Sequence, residues 1–357
     1  MDKIIIKILK KIEKCGYSAF IVGGYVRDKL LGKDSSDVDI CTNALPKDVI
    51  EIFNLDKSTK DEYGSVNIKT KKYNIDITTF RSESDYKNHT PKSVNYVNDL
   101  KTDLKRRDFT INSLVMNSNE EVIDYYNGIK DFVDKKIRCL GSTKIRLSED
   151  PLRMLRAIRF SVIYDFDIDD EIVKFIDSNK NLIESISYFR KKEELDKMLS
   201  CSNKVKGLNL IKQLNLCSVL GIEYDNIVNC KDIFGMYAQI KFCDKYQLTK
   251  NEKEIIENIK KVVSGGEINN ITLYDYGLYI NSLAGEILGI DSITINKMYK
   301  NLPIKSRKDI KITLESIVKL NNNCYNGVND IYRDLEVNIL NCKVKNNNKD
   351  IVRFIRK

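Results

Sequence analysis

The sequence predicts an α+β protein, with a mixed head over residues 1–140 and an all-helical remainder. Short runs alternating apolar and polar residues crowd the first part, the period-two pattern of half-buried strands. From about residue 141 they give way to apolar residues three and four apart, the spacing of helices. At 357 residues and 42% hydrophobic content, the chain is long enough for about two domains with sizeable cores.

The elements follow in order. Ile4, Ile5, Ile8, Leu9 and Ile12 share a helical spacing in a start too rich in lysine for a signal segment. "SAFIVGG" and "DVDICT" read as strands around the helical "VRDKLLG", and "LPKDVIEIFN" as a helix with Pro46 in its first turn. "SVNIKT" and "YNIDITTF" flank Lys71-Lys72 as a hairpin, and "SLVMNS" and "EVIDYY" flank Asn119-Glu120 as another. "LSEDPLRMLRAIRFSVIYDF" is expected as one helix, capped by Ser148 with Pro151 in its first turn. "DDEIVKFIDSN" and "RKKEELDKMLS" continue as helices, and 203–357 is helical with breaks at "NLPIKSRKD" and "LNNNCYNGVND". These patterns divide the chain into 1–140, 141–202 and 203–357.

Composition narrows the chemistry. No apolar run reaches the ~18 residues needed to span a bilayer, so a soluble, cytoplasmic protein is expected. The nine cysteines are scattered, with no C-x-x-C pair, as small apolar residues in a reducing compartment. His89 is the single histidine, which excludes His-clustered zinc sites and points to carboxylates and metal ions for catalysis. The net charge of +9 suits a polyanionic partner without requiring one.

Several constellations carry that chemistry. On a strand, Asp37 and Asp39 share one face while Val38 and Ile40 enter the core, so two carboxylates could hold Mg²⁺ for phosphoryl displacement. Exposed strand aspartates are common, and the pair alone does not decide. Gly24 allows close backbone approach to an anion, and Arg27 can reach a phosphate from the next turn. Asp76 faces the polar side of its strand, as a third carboxylate, a proton acceptor or a solvent-facing residue. Asp108 adjoins Arg106 and Arg107 and could orient one guanidinium for a bidentate grip on phosphate; a plain salt bridge explains the same letters.

Asp150 and Arg153 at i and i+3 set an acceptor beside a donor fork, which can imitate the pairing edge of a base. Asp accepts from the exocyclic amine of C or A, and Arg donates to the neighbouring ring nitrogen. G and U carry a carbonyl there and would be rejected. Arg156 and Arg159 follow at three-residue steps toward where phosphates could lie. An i,i+3 salt bridge on a solvated helix remains the competing explanation.

Taken in order, "GGYVRD…DVDICT", "RRDFTINSL", "DYYNGIKDF", "EDPLRMLRAIRF" and "FRKKEELDKML" resemble the class II tRNA nucleotidyltransferase (CCA-adding enzyme) and bacterial poly(A) polymerase family. The resemblance spans about residues 20–200. It implies a nucleotidyltransferase-fold head, a neck that reads the incoming base, and a helical body and tail that grip tRNA by its acceptor and TΨC arms. Asp37 and Asp39 would be Mg²⁺ ligands, with Asp76 assisting. Gly24, Arg27, Arg107, Arg156 and Arg159 would bind nucleotide, and Asp150 and Arg153 would select CTP and ATP. Arg190 and Glu194 match a neck-stabilising pair.

The implied activity is untemplated addition of CCA to tRNA, with release of pyrophosphate. Departures keep alternatives open. Only Gly128 remains of a usual Gly-Gly, Phe189 stands where an acid often precedes Arg190, and residues 86–94 are short around His89. The short loop leaves CC-only addition open beside poly(A) addition and an inactive RNA-binding protein. Oligomeric state is open between monomer and homodimer.

Overall fold

The computed structural model describes residues 1–56, 64–87, 90–321 and 326–356, with side chains at 84–87 and 90–93 outside that description. His89 and Cys324 therefore lie outside the described residues. The chain divides into two compact units, Met1–Gly221 and Ile222–Lys357.

The first unit opens with α1 (Lys3–Lys14), capped by the Asp2 side chain accepting from the Ile4 amide. Ile5, Ile8, Leu9 and Ile12 are buried, whereas Ile4 faces outward at 39% exposure. Then come β1 (Ala19–Val22), α2 (Gly24–Leu30), β2 (Asp37–Thr42), α3 (Pro46–Phe53), β3 (Ser65–Lys69) and β4 (Asn74–Thr79). Next are β5 (Arg81–Lys87), β6 (Thr90–Tyr96), α4 (Leu100–Lys105), β7 (Val115–Met116), β8 (Val122–Ile123) and α5 (Gly128–Val133).

Six strands form a mixed sheet in the order β3-β4-β2-β1-β7-β8. β2 and β4 run parallel, and the other neighbours are antiparallel, both expected hairpins included. One face takes Val38 and Ile40 from β2 with Ile75 and Ile77 from β4, and packs them against residues of α1, α2 and α3. Fully burying each such side chain contributes about 1.5–3 kcal/mol. The period of two then sends Asp37, Asp39, Asn74, Asp76 and Thr78 to the opposite face.

The segment expected as one helix is two. α6 (Thr143–Glu149) is capped by Ser142, and α7 (Leu152–Tyr164) begins after a break at Asp150, so Ser148 lies inside the first helix and caps nothing. Pro151 disfavours the helical region for the residue before it. Asp150 accordingly takes φ −140°, ψ 97°, and its side chain accepts from the Leu152 amide. α8 (Asp170–Asn179), α9 (Tyr188–Leu199) and α10 (Lys204–Gln213) complete the run.

The second unit is a helical assembly around an aliphatic core that includes Ile259, Leu273, Ile295, Ile317, Leu335 and Ile351. Its strand content among the described residues is the two-residue pair Ile222–Glu223 and Lys241–Phe242. Its longest helix, Asn270–Leu288, kinks at Gly277, where the Asn281 side chain donates to the carbonyls of Gly277 and Thr272.

Candidate active site

The carboxylates of the head collect on adjacent strands. The parallel register sets Asp39 beside Asp76 and Asp37 beside Asn74, at the ~4.8 Å strand spacing. Asn67, opposite Asp76 on β3, donates to Asp76 Oδ1 at 2.8 Å and to Asn74 Oδ1 at 3.0 Å. Asp39 is solvent-exposed, yet protein atoms crowd around its carboxylate. This partial desolvation raises its carboxyl pKa; Arg107 and Arg27 counter it, and the like charges of Asp76 and Asp37 reinforce it.

These hard oxygen donors on adjacent strands fit a divalent cation. Among the described residues no three metal-ligating side chains converge on one point.

The turn into α2 brings backbone against this cluster. Gly23 has φ 75°, and a Cβ there would lie 3.1 Å from Asp39 Oδ2. Any side chain would be strained and would crowd the carboxylate. Arg27, one turn on, is buried. Its Nε donates to the Tyr164 hydroxyl at 2.9 Å, and its guanidinium lies over the Phe160 and Tyr164 rings, 5.3 and 5.4 Å from their centroids. An arginine of the head is thus aimed by aromatic residues of α7.

The arginines after α4 are held differently from the expectation. Asp103, fully buried, accepts from Arg106 Nε at 3.0 Å and the Arg81 amide at 3.1 Å, and lies 3.6 Å from Arg107. Glu83 bridges Arg81 and Arg106. Asp108 does not orient its neighbours in sequence. It accepts from Arg156 Nε at 2.7 Å, from Asn112 and from the Phe109 amide. Burial pushes the Asp108 carboxyl up, but Arg156, Asn112 and Arg153 outweigh that effect and hold it well below the usual carboxylate range.

Asp150 and Arg153 do reach one site, each with a different partner. Arg190 on α9 donates to Asp150 Oδ2 at 3.1 Å. Arg153 donates to Glu149 at 3.1 Å and to the carbonyls of Arg146 and Arg106. Glu194 meets Arg159 at 2.9 Å, an ion pair without hydrogen-bond alignment, so Arg190 and Glu194 serve separate partners. Phe189 is 66% exposed.

A cavity of about 540 Å³ gathers Gly23, Gly24, Arg27, Asp39, Arg81, Glu83, Arg106, Arg107, Asp150, Arg153, Arg156 and Arg190. Three expected residues lie elsewhere. Asp76 lines a neighbouring cavity, Asp37 a groove with Lys69, Lys71 and Lys72, and Arg159 is buried against Glu194 and the Phe160 ring. In the expected Gly-Gly segment, Asn127 takes the left-handed φ of 58°, which Asn tolerates. Gly128 is required there, because a Cβ would meet the Thr110 carbonyl oxygen at 2.5 Å. In the 86–94 loop, residues 88 and 89 lie outside the described residues; the described backbone of β5 and β6 pairs antiparallel.

Comparison with known proteins settles the family. The Poly A polymerase head domain family matches residues 19–138, and the family described as the probable RNA and SrmB-binding site of polymerase A matches 165–224. The CCA-adding enzyme of Ligilactobacillus salivarius is 32% identical, over 89% of this chain and 86% of the relative. That of Limosilactobacillus reuteri is 34% identical over 85% and 84%. This chain belongs to the CCA-adding enzyme family.

Solved structures agree in fold. The Bacillus stearothermophilus CCA-adding enzyme in complex with CTP superposes with a TM-score of 0.85 at 24% identity, covering 98% of this chain and 95% of that one. The Thermotoga maritima CCA-adding enzyme complexed with tRNA gives 0.73 at 20% identity, covering 99% and 95%. The head is therefore a nucleotidyltransferase fold followed by a helical body, and membership of this family implies use of a divalent metal ion. Among the described residues no helix is long and apolar enough to cross a membrane.

Proposed function

We propose that this protein adds CCA to the 3′ end of tRNA from CTP and ATP, without a nucleic-acid template and with release of pyrophosphate. The observation that carries this reading is a single cavity holding a glycine turn, Asp39, a ring of arginines and the Asp150–Arg153 pair. Residues 1–140 act as the catalytic head, 141–202 as the base-reading neck, and 203–357 as the body and tail that hold tRNA.

Each side chain has work that its geometry suits. Arg27 and Arg107 neutralise the triphosphate, with Arg27 preset by Tyr164 and two rings, so little reorganisation accompanies binding. Asp108 fixes Arg156 toward the same phosphates. Arg159, behind them, braces α7 against α9 through Glu194. A carboxylate offers about four lone-pair positions. Arg190 and the Leu152 amide occupy two on Asp150, which leaves room for the exocyclic amine of C or A. Arg153 donates to the adjoining ring nitrogen; a carbonyl of G or U would face the Asp150 carboxylate with no proton to share.

The acceptor's 3′-hydroxyl loses its proton to solvent as its oxygen forms a bond to the α-phosphorus, the bond to the pyrophosphate oxygen breaks, and the arginines hold the departing charge. Mg²⁺, held by Asp37 and Asp39, would supply Lewis-acid stabilisation of the attacking and leaving oxygens. The second unit presents exposed Lys297, Lys300, Lys305 and Lys308 for phosphates of the acceptor and TΨC arms. Such contacts weaken steeply with salt.

The test is incubation with tRNA lacking its 3′ end, using CTP, ATP or both. Two added nucleotides with CTP alone and three with both are expected. Two with both nucleotides would identify CC addition, and a long adenosine run with ATP alone would identify poly(A) addition. No extension under any condition would leave an RNA-binding protein.

A further inference from the structure

Two cavities meet at the strand bearing Asp39. The second, about 660 Å³, lies over the polar face of β3 and β4. Asp39, Arg81, Arg106 and Arg107 line both cavities, whereas Asp76 lines the second and not the first, together with Asn67, Ser65 and Thr78. Nucleotidyl transfer requires two substrates to meet at one phosphorus, and a wall shared by two cavities is where that can occur. Arg27, Arg156, Arg190 and the base-reading pair line the first cavity and not the second, so the second is left for the attacking hydroxyl. Asp76 is the carboxylate on that side.

Asn67 determines how Asp76 is presented. It sits opposite Asp76 in the antiparallel β3–β4 register. Both amide hydrogens are used, one on Asp76 Oδ1 and one on Asn74 Oδ1, which fixes the plane of the side chain. A carboxylate can only accept, so the amide nitrogen must face it. A lysine here would hold Asp76 and cancel its charge; a neutral amide orients it and leaves the charge in place. Among the described residues no donor sits on Oδ2.

We propose that Asn67 is a positioning residue that holds Asp76 to accept a hydrogen bond from the 3′-hydroxyl of the RNA acceptor. This inference rests on the nucleotide-adding function proposed above.

The probe is a tRNA lacking its 3′ end, compared with the same RNA ending in a 3′-deoxynucleoside. Binding is measured with EDTA and without nucleotide, beside single-turnover extension with CTP and magnesium. Wild-type protein should prefer the hydroxyl-ended RNA by about 5-fold, the worth of one hydrogen bond. In Asn67→Leu, similar in size without a donor, the preference should vanish and single-turnover extension should slow about 10- to 100-fold. KM for CTP should stay within about twofold, because the nucleotide cavity is untouched.

In an Asp76→Ala background, Asn67→Leu should cost nothing further, since it acts through the missing carboxylate. Asn67→Ser, too short to reach Oδ1, should reproduce these results if leucine disturbs the edge strand. Retention of the hydroxyl preference in both variants, its absence in the wild type, or a further loss in the Asp76→Ala background overturns the proposal. Wild-type protein that extends no RNA defeats the functional reading itself; wild-type extension matched by both variants defeats only this inference.

Discussion

The two units differ most in what they bury. The first buries Arg27, Asp103, Asp108, Arg153, Arg159 and Glu194, whereas the second, among its described residues, buries Glu336 and Asn281 within an otherwise aliphatic core. Buried ion pairs contribute little net stability, because desolvation offsets their attraction. Arg27, Asp108 and Arg153 line the cavity of about 540 Å³, so charge is held there in fixed positions. The second unit keeps its lysines outside and packs hydrocarbon within, an arrangement suited to a scaffold that meets RNA at its surface.

The carboxylates of the first unit carry the largest expected effect. Asp39→Ala should slow incorporation by about 10²–10³-fold or more, the scale for losing a group that stabilises transition-state charge. Thermal stability should hold or rise, because a desolvated carboxylate repelled by Asp76 and Asp37 is removed. A large fall in melting temperature, measured by calorimetry, would make Asp39 a structural residue.

Leu335→Ala, in the core of the second unit, should do the reverse. It should cost about 2–5 kcal/mol in denaturant unfolding, as expected for a fully buried leucine, with nucleotide selectivity unchanged. A shift in selectivity would mean that the base-reading site depends on the second unit.

The smallest effect is on the acid side. The folded Asp108 carboxyl lies below the ordinary value of ~3.9, so its pairing contributes stability that is present above that pH and is lost as pH falls through it toward the folded value. Asp108→Asn should flatten part of the loss in melting temperature as pH falls below about 4. An unchanged acid limb would show that the Arg156 pair contributes nothing measurable.

Patterns of short period were legible in the sequence. Alternation in "DVDICT" and "YNIDITTF" placed the aspartates on one face, and the turn at Lys71-Lys72 joined the strands. Partners distant in sequence were not. Asp108 adjoins two arginines yet pairs with Arg156, and Asp150 finds Arg190 rather than its i+3 neighbour, because helix packing sets those distances. Asp103, Glu83 and Asn67 carry no local signal; each looks like an ordinary surface residue until the chain folds. The break at Asp150 was legible in principle. Pro151 signalled it, but Ser148 reads as an N-cap with Glu149 and Asp150 in the first turn, and that reading carried the helix across the break.

The central claim is that protein side chains alone choose the base. Equilibrium binding of CTP and UTP to the protein without RNA tests it most directly, in the wild type and in Arg153→Ala. Wild-type protein should favour CTP by about tenfold or more, the value of one good base-edge pair, and Arg153→Ala should bind the two nearly alike. Equal affinities in the wild type, or a preference that survives in Arg153→Ala, would contradict the account.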